Sequence, residues 1–295
     1  MRDFRWPPPP EGGPRVFGPG PTAPRSGRPA LPQPPSDVVA TPHGVGLEQV
    51  VSGAGEPVTI FAHGLANGIA GTRPLGSGVR GRRVFFHFRG HGRSDAPPGP
   101  WGYTDLARDL RSVADLAGAT RALGVSLGAG ALTRLLADSP ERFTHAVFFL
   151  PAVIDRPRGP ATRARLAELL SAVESGDLGA VADVVASELP ASVRNTPAGW
   201  AYLRQRVEQL TQDGLAPALA SLPDEVAIGD RSALAQVTAR TLVIGCHNDD
   251  LHPTAVAEEL AAALPSATLH VYDRPAVLWT ARADLRDRIS TFLND

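Results

Sequence analysis

Residues 120–128 read Thr120-Arg121-Ala122-Leu123-Gly124-Val125-Ser126-Leu127-Gly128, and the last five have the form G-x-S-x-G. An apolar run through Val125 meets a helical pattern here, so the serine is expected on a strand-to-helix junction. Glycines on either side leave room for a tight turn that lifts a hydroxyl clear of a sheet. Ser126 is therefore the first candidate nucleophile.

Outward from this junction, short β-rich runs alternate with helical patterns. Strands are predicted at 38–40, 47–51, 58–62, 83–88, 120–125, 145–150, 241–244 and 267–272. Leu106, Leu110, Val113 and Ala117 are spaced for one face of a helix, and helical patterns at 255–264 and 285–292 follow the last two strands. Alternation of this kind predicts an α/β fold, a mostly parallel eight-stranded sheet with helices on both faces. Between 155 and 236 the strand signal stops, and Gly176, Pro190, Pro197, Gly214 and Pro223 punctuate helical patterns. This insertion carries an apolar stripe, Trp200, Leu203, Val207 and Leu210, expected to face the main domain or a ligand. The organisation predicted is a tail over 1–37, a core of 38–154 and 237–295, and a helical cap over 155–236.

Composition narrows the classes of function. The 295 residues are 43% apolar, enough for one enzyme-sized unit with a proper core. All 29 basic residues are arginine, against 30 acidic, for a net charge of −1. The absence of lysine excludes a lysine Schiff base or a Ser-Lys dyad. Near-neutral balance offers no basic stripe, so no nucleic-acid partner is expected. Cys246 is the single cysteine, which excludes an intrachain disulfide and a Cys-rich zinc site and fits a reducing, cytoplasmic setting. Neither an apolar leader nor a membrane-spanning run of eighteen apolar residues is visible. Thirteen of the 29 prolines fall in the first 42 residues, a composition that predicts a disordered tail whose PxxP-type spacing offers at most a weak docking motif for a protein partner.

Four motifs occur in order: His63-Gly64 after the third predicted strand, Gly90-His91-Gly92-Arg93-Ser94 after the fourth, the Ser126 elbow after the fifth, and an acidic loop after the seventh. Together, from residue 38 to the C-terminus, they resemble the α/β-hydrolase family. The resemblance implies that the insertion is a helical cap enclosing a pocket. It also implies that Ser126 attacks an ester, thioester or activated carbonyl of an apolar small molecule. The oxyanion donors would be the backbone N–H groups of Leu65 and Leu127. In the acid loop, Asp249 stands four residues before Pro253, the family spacing for the triad acid, with Asp250 the runner-up. Either carboxylate would alternatively cap the helix that starts near Pro253. No metal or organic cofactor is implied.

One departure matters. The family's histidine follows the eighth strand, where this chain has Val277. Without an imidazole, the serine proton has no nearby acceptor at neutral pH. His247 and His252 flank Asp249 and are replacement bases if the loop turns towards Ser126. His87 faces the same end of the sheet, but two strand spacings would place it roughly 10 Å from the serine's strand. His270 lies within a predicted strand, His145 is at the wrong end of the sheet, and His63 and His91 suit structural roles. Two readings remain at this point: a serine hydrolase or acyl-transfer enzyme with a relocated base, or a catalytically impaired homologue that binds an apolar small molecule. Chemistry with a carboxylate nucleophile, as in dehalogenase relatives, does not fit a serine.

Overall fold

The computed structural model describes residues 35–212, 215 and 221–295. The proline-rich stretch up to residue 34 lies outside the described residues. Eight strands form one sheet: β1 (Asp37–Ala40), β2 (Gly46–Ser52), β3 (Val58–Ala62), β4 (Arg82–Phe86), β5 (Arg121–Val125), β6 (His145–Phe149), β7 (Arg240–Cys246) and β8 (Ala267–Tyr272). Their spatial order is β1-β2-β4-β3-β5-β6-β7-β8. β1 and β2 pair antiparallel, as do β2 and β4, and every later pairing is parallel.

The central strands are apolar on both faces because both faces are covered. Along β6, Ala146 and Phe148 point to one core while Val147 and Phe149 point to the other. The first core takes Leu106, Leu110 and Val113 of the Tyr103–Ala117 helix and Leu132 and Leu135 of the Leu127–Asp138 helix. The second takes Leu285, Ile289 and Leu293 of the Arg282–Asn294 helix. Period-two alternation between two buried layers is what a sheet sandwiched by helices requires.

Two strand ends differ from the sequence-based expectation by two residues, the others by at most one. β4 stops at Phe86 rather than at 88, because the Phe88 N–H turns to the His63 ring, donating to Nε2 at 3.0 Å. β7 runs past Ile244, because Gly245 stays in register with Val271. A Cβ on Gly245 would meet the Ala257 Cβ at 2.8 Å, so that glycine admits a close helix rather than ending a strand.

Between β6 and β7 the chain forms helices at Pro160–Glu174, Leu178–Ala186, Ala191–Arg194 and Pro197–Leu210, with no strand among the described residues. The stripe Trp200, Leu203, Val207 and Leu210 is buried and joins the first core. Arg158 ties this insertion to the core by donating to the Tyr103 hydroxyl at 2.8 Å, and it braces the insertion itself through the Glu225 carbonyl at 3.1 Å.

At the carboxyl end of the sheet, the backbone comes too close for side chains. A Cβ on Gly124 would lie 2.4 Å from the Gly128 carbonyl oxygen, and one on Gly128 would lie 2.4 Å from that of Ala62. Between them Ser126 adopts φ +49° and ψ −104°, a strained conformation for a residue with a side chain. It is pinned there: its N–H donates to Phe149 O at 2.9 Å, and its carbonyl accepts from Gly130 N at 3.0 Å.

Three neutral histidines brace the neighbouring loop. His91 Nε2 accepts from Ala66 N at 3.1 Å, His87 Nε2 accepts from Ile69 N at 3.1 Å, and each Nδ1–H donates elsewhere, to Arg89 O and to Glu48 respectively. His63 completes the set, donating from Nδ1 to Gly64 O at 2.7 Å. Burial pushes all three imidazoles below their ordinary pKa, His63 well below it and His91 to about 4.

Two outcomes follow from these contacts. Gly128→Ala should lower unfolding stability by about 1–3 kcal/mol or prevent folding, read from denaturant midpoints, because backbone rather than a flexible side chain blocks the new methyl. As to pH, the unfolded chain takes up protons near the ordinary histidine value that the folded chain refuses. Stability should therefore be full above about pH 6.5 and fall as the pH drops to about 4, by roughly 3 kcal/mol from His91 alone. A urea midpoint that stays flat between pH 7 and pH 4.5 would contradict this.

Candidate active site

The turn at Ser126 points its hydroxyl into a cavity of about 870 Å³ at the carboxyl end of the sheet. That volume suits a small organic molecule. Its walls come from the core loops and from the insertion, which contributes Leu166, Leu169, Tyr202 and Leu210. Arg158 and Tyr103 reach the same space.

Ser126 is not alone there. His252 Nε2 lies 2.8 Å from Ser126 Oγ, and His252 Nδ1 lies 3.0 Å from Asp249 Oδ2. With the carboxylate taking the Nδ1–H, the Nε2 lone pair is free to accept the serine proton. Asp249 is also the keystone of its own loop, because its Oδ1 accepts from the N–H groups of Leu251 at 3.0 Å and His252 at 3.1 Å. That Asx-type turn swings His252 back over the carboxylate only three residues on. Burial pushes the Asp249 carboxyl up, but the hydrogen bond with His252 and the two backbone donors outweigh it and hold the group below the usual carboxylate range. Asp249 thus stays ionised at neutral pH. Cys246 sits 3.7 Å from the same carboxylate, and burial together with that charge pushes its thiol up to about 12.

The strand order explains how this loop reaches the serine. Only β6 separates β5, which carries Ser126, from β7, whose loop carries Asp249 and His252. Val277 stands beyond β8, one strand further out, and is buried in the second core while opening the short Val277–Thr280 helix.

Of the other residues singled out by sequence, His87 and His247 are absent from the lining of this cavity. His87 has both ring nitrogens engaged, by Glu48 and by the Ile69 N–H. His247 faces Thr254 Oγ1 at 3.3 Å and bonds its backbone to Tyr272. Asp250 presents its carbonyl to Thr162 of the insertion at 2.5 Å, and its carboxylate makes no hydrogen bond among the described residues. Leu65 and Leu127 both line the cavity beside Ser126. Leu127 opens a helix, so its N–H has no intrahelical partner, and the Leu65 N–H has no acceptor among the described residues. The D-x-x-H spacing of Asp249 and His252 ahead of Pro253 was the local signal that could have singled out His252 among the three histidines.

Comparison with known proteins agrees with the topology. Residues 59–284 match the model of the Alpha/beta hydrolase family. Among solved structures, an esterase from Exiguobacterium antarcticum superposes with a TM-score of 0.72 at 18% identity, over 88% of this chain and 99% of that one. An enol-lactonase from Burkholderia xenovorans gives 0.74 at 20% identity, over 88% and 100%. A hydrolase from Pseudomonas aeruginosa gives 0.72 at 24%, over 88% and 98%. The sheet order, the strained serine turn and a family match over most of the chain lead to one conclusion: this protein belongs to the α/β-hydrolase family.

Proposed function

We propose that the protein is a serine hydrolase that cleaves carboxylic esters or thioesters of small, largely apolar acids, with Ser126 as nucleophile, His252 as general base and Asp249 as the acid that orients it. The carrying observation is the 2.8 Å contact between His252 Nε2 and Ser126 Oγ. As Oγ attacks the acyl carbon, His252 takes its proton, and Asp249 steadies the imidazolium that forms. The oxyanion of the tetrahedral intermediate is met by the N–H groups of Leu65 and Leu127. When the intermediate collapses, His252 returns the proton to the departing alcohol or thiol. Water then cleaves the acyl-enzyme by the same relay, regenerating the Ser126 hydroxyl.

The apolar side chains of Leu166, Leu169 and Leu210 across the cavity suit a hydrocarbon acyl group under a helical cap. Names carried by structural relatives, an esterase and an enol-lactonase, are compatible with acyl chemistry. The serine–imidazole contact favours the enzyme over a binding-only homologue, because the base that Val277 leaves wanting is supplied from another loop.

A fluorophosphonate probe should label the protein, and Ser126→Ala should abolish the labelling. His252→Ala should cost about a thousandfold or more in kcat on a p-nitrophenyl ester, whereas His247→Ala and His87→Gln should cost far less. Equal losses in all three histidine variants would remove His252 from its role. Val277→His should bring no gain in rate and should lower stability, since it places an imidazole in an apolar core; a rise in esterase activity would point to a base at the family's usual position.

A further inference from the structure

Arg206, on the Pro197–Leu210 helix of the insertion, reaches into the core loop that carries Leu65. One terminal nitrogen, Nη1, donates to Leu65 O at 2.9 Å and to Ala66 O, while Nη2 lies 3.4 Å from Glu188 Oε1. Glu188 also accepts from the Tyr202 hydroxyl at 3.0 Å, so the acid that neutralises Arg206 belongs to the insertion too. Burial opposes the charge on the guanidinium, but Glu188 and Tyr202 outweigh it and hold the group above its usual range.

The backbone groups of this loop can be accounted for one by one. Ala66 N–H is taken by His91, Asn67 N–H by Gly64 O, and Gly64 O also accepts from His63. Leu65 O and Ala66 O are taken by Arg206. Among the N–H groups of residues 65–67, that of Leu65 alone has no acceptor among the described residues. Ala66 sits at φ +46°, a left-handed conformation that a residue with a Cβ keeps only when its surroundings impose it. The histidine scaffold grips the Leu65–Ala66 peptide from the core side, and Arg206 grips it from the insertion side.

We propose that Arg206 is a positioning residue for the oxyanion hole. By holding the Leu65 and Ala66 carbonyls it fixes the turn that aims the Leu65 N–H at the negative oxygen formed in the reaction. The insertion therefore completes the catalytic frame as well as the pocket wall. This inference rests on the serine-hydrolase reading above.

The test compares wild type, Arg206→Lys and Arg206→Ala in the full chain, by steady-state hydrolysis of a p-nitrophenyl ester and by inhibition with a boronic acid that mimics the tetrahedral intermediate. In Arg206→Ala, kcat should fall about tenfold to a hundredfold with KM nearly unchanged, and boronate affinity should fall in parallel. Arg206→Lys should retain an intermediate rate, and added guanidinium ion should restore part of the Arg206→Ala loss. If Arg206→Ala does not fold, the lysine variant carries the same comparison. Wild-type kcat in both variants, or a loss confined to KM with boronate binding intact, would overturn the role of Arg206 while leaving the serine mechanism standing. A wild-type protein that no fluorophosphonate labels would overturn both.

Discussion

The structure turns on the close approach of three backbone segments at the carboxyl end of the sheet, where Gly128 lies against Ala62, Gly124 lies against Gly128, and the Ser126 N–H bonds to Phe149. Only residues without a Cβ tolerate such distances, so two glycines fix how near the Leu127–Asp138 helix can come to β3 and β5. That nearness holds Ser126 in its strained turn, a conformation that costs of order 1–3 kcal/mol and that the surrounding hydrogen bonds and packing must offset. The turn sets Ser126 at the N-terminus of the Leu127–Asp138 helix.

The imidazole and the carboxylate that line up with Ser126 share one loop. In Ser126–His252–Asp249 the imidazole and its carboxylate are three residues apart, joined by the turn that Asp249 itself builds through Leu251 N and His252 N. A carboxylate that is at once structural and electrostatic needs no second loop to present the histidine, so the segment after β8 is released from that duty. Val277 instead packs in the second core, and the neighbouring Trp279 meets the ring of Tyr202 edge-on at 5.7 Å. This edge-on pair is a contact between the segment after β8 and the insertion.

The insertion is bound to the core by polar contacts that converge on the site. Arg158 reaches Tyr103, Thr162 reaches the carbonyl of Asp250 beside the acid, and Arg206 reaches the loop of Leu65. Tyr103 in turn packs against the elbow helix, where a Cβ on Gly130 would lie 2.2 Å from its ring. Displacing the insertion would leave several of these buried donors and acceptors without partners, which makes it an integral wall and not a loose cover.

Much of this was legible in the chain of residues alone. Short β-rich runs and the helical stripes marked the eight strands and their covering helices, because burial on two faces leaves its mark on every residue of a strand. The G-x-S-x-G run disclosed the elbow, since only glycine fits such a turn. Asp249 was marked by its distance from Pro253. The ends of β4 and β7 were not legible, because the first was decided by a histidine side chain distant in sequence and the second by what packs over Gly245. Only the D-x-x-H spacing marked His252 among His87, His247 and His252, and nothing in the sequence singled out Arg206. Their contacts depend on which strands lie side by side and which way one loop turns, and a one-dimensional spacing rule tied to the last strand pointed to Val277 instead. The sequence by itself determined the layers and the serine turn and narrowed the carboxylate to Asp249 or Asp250; only the tertiary structure decided which imidazole meets the serine, because that contact joins residues 126 positions apart across an intervening strand.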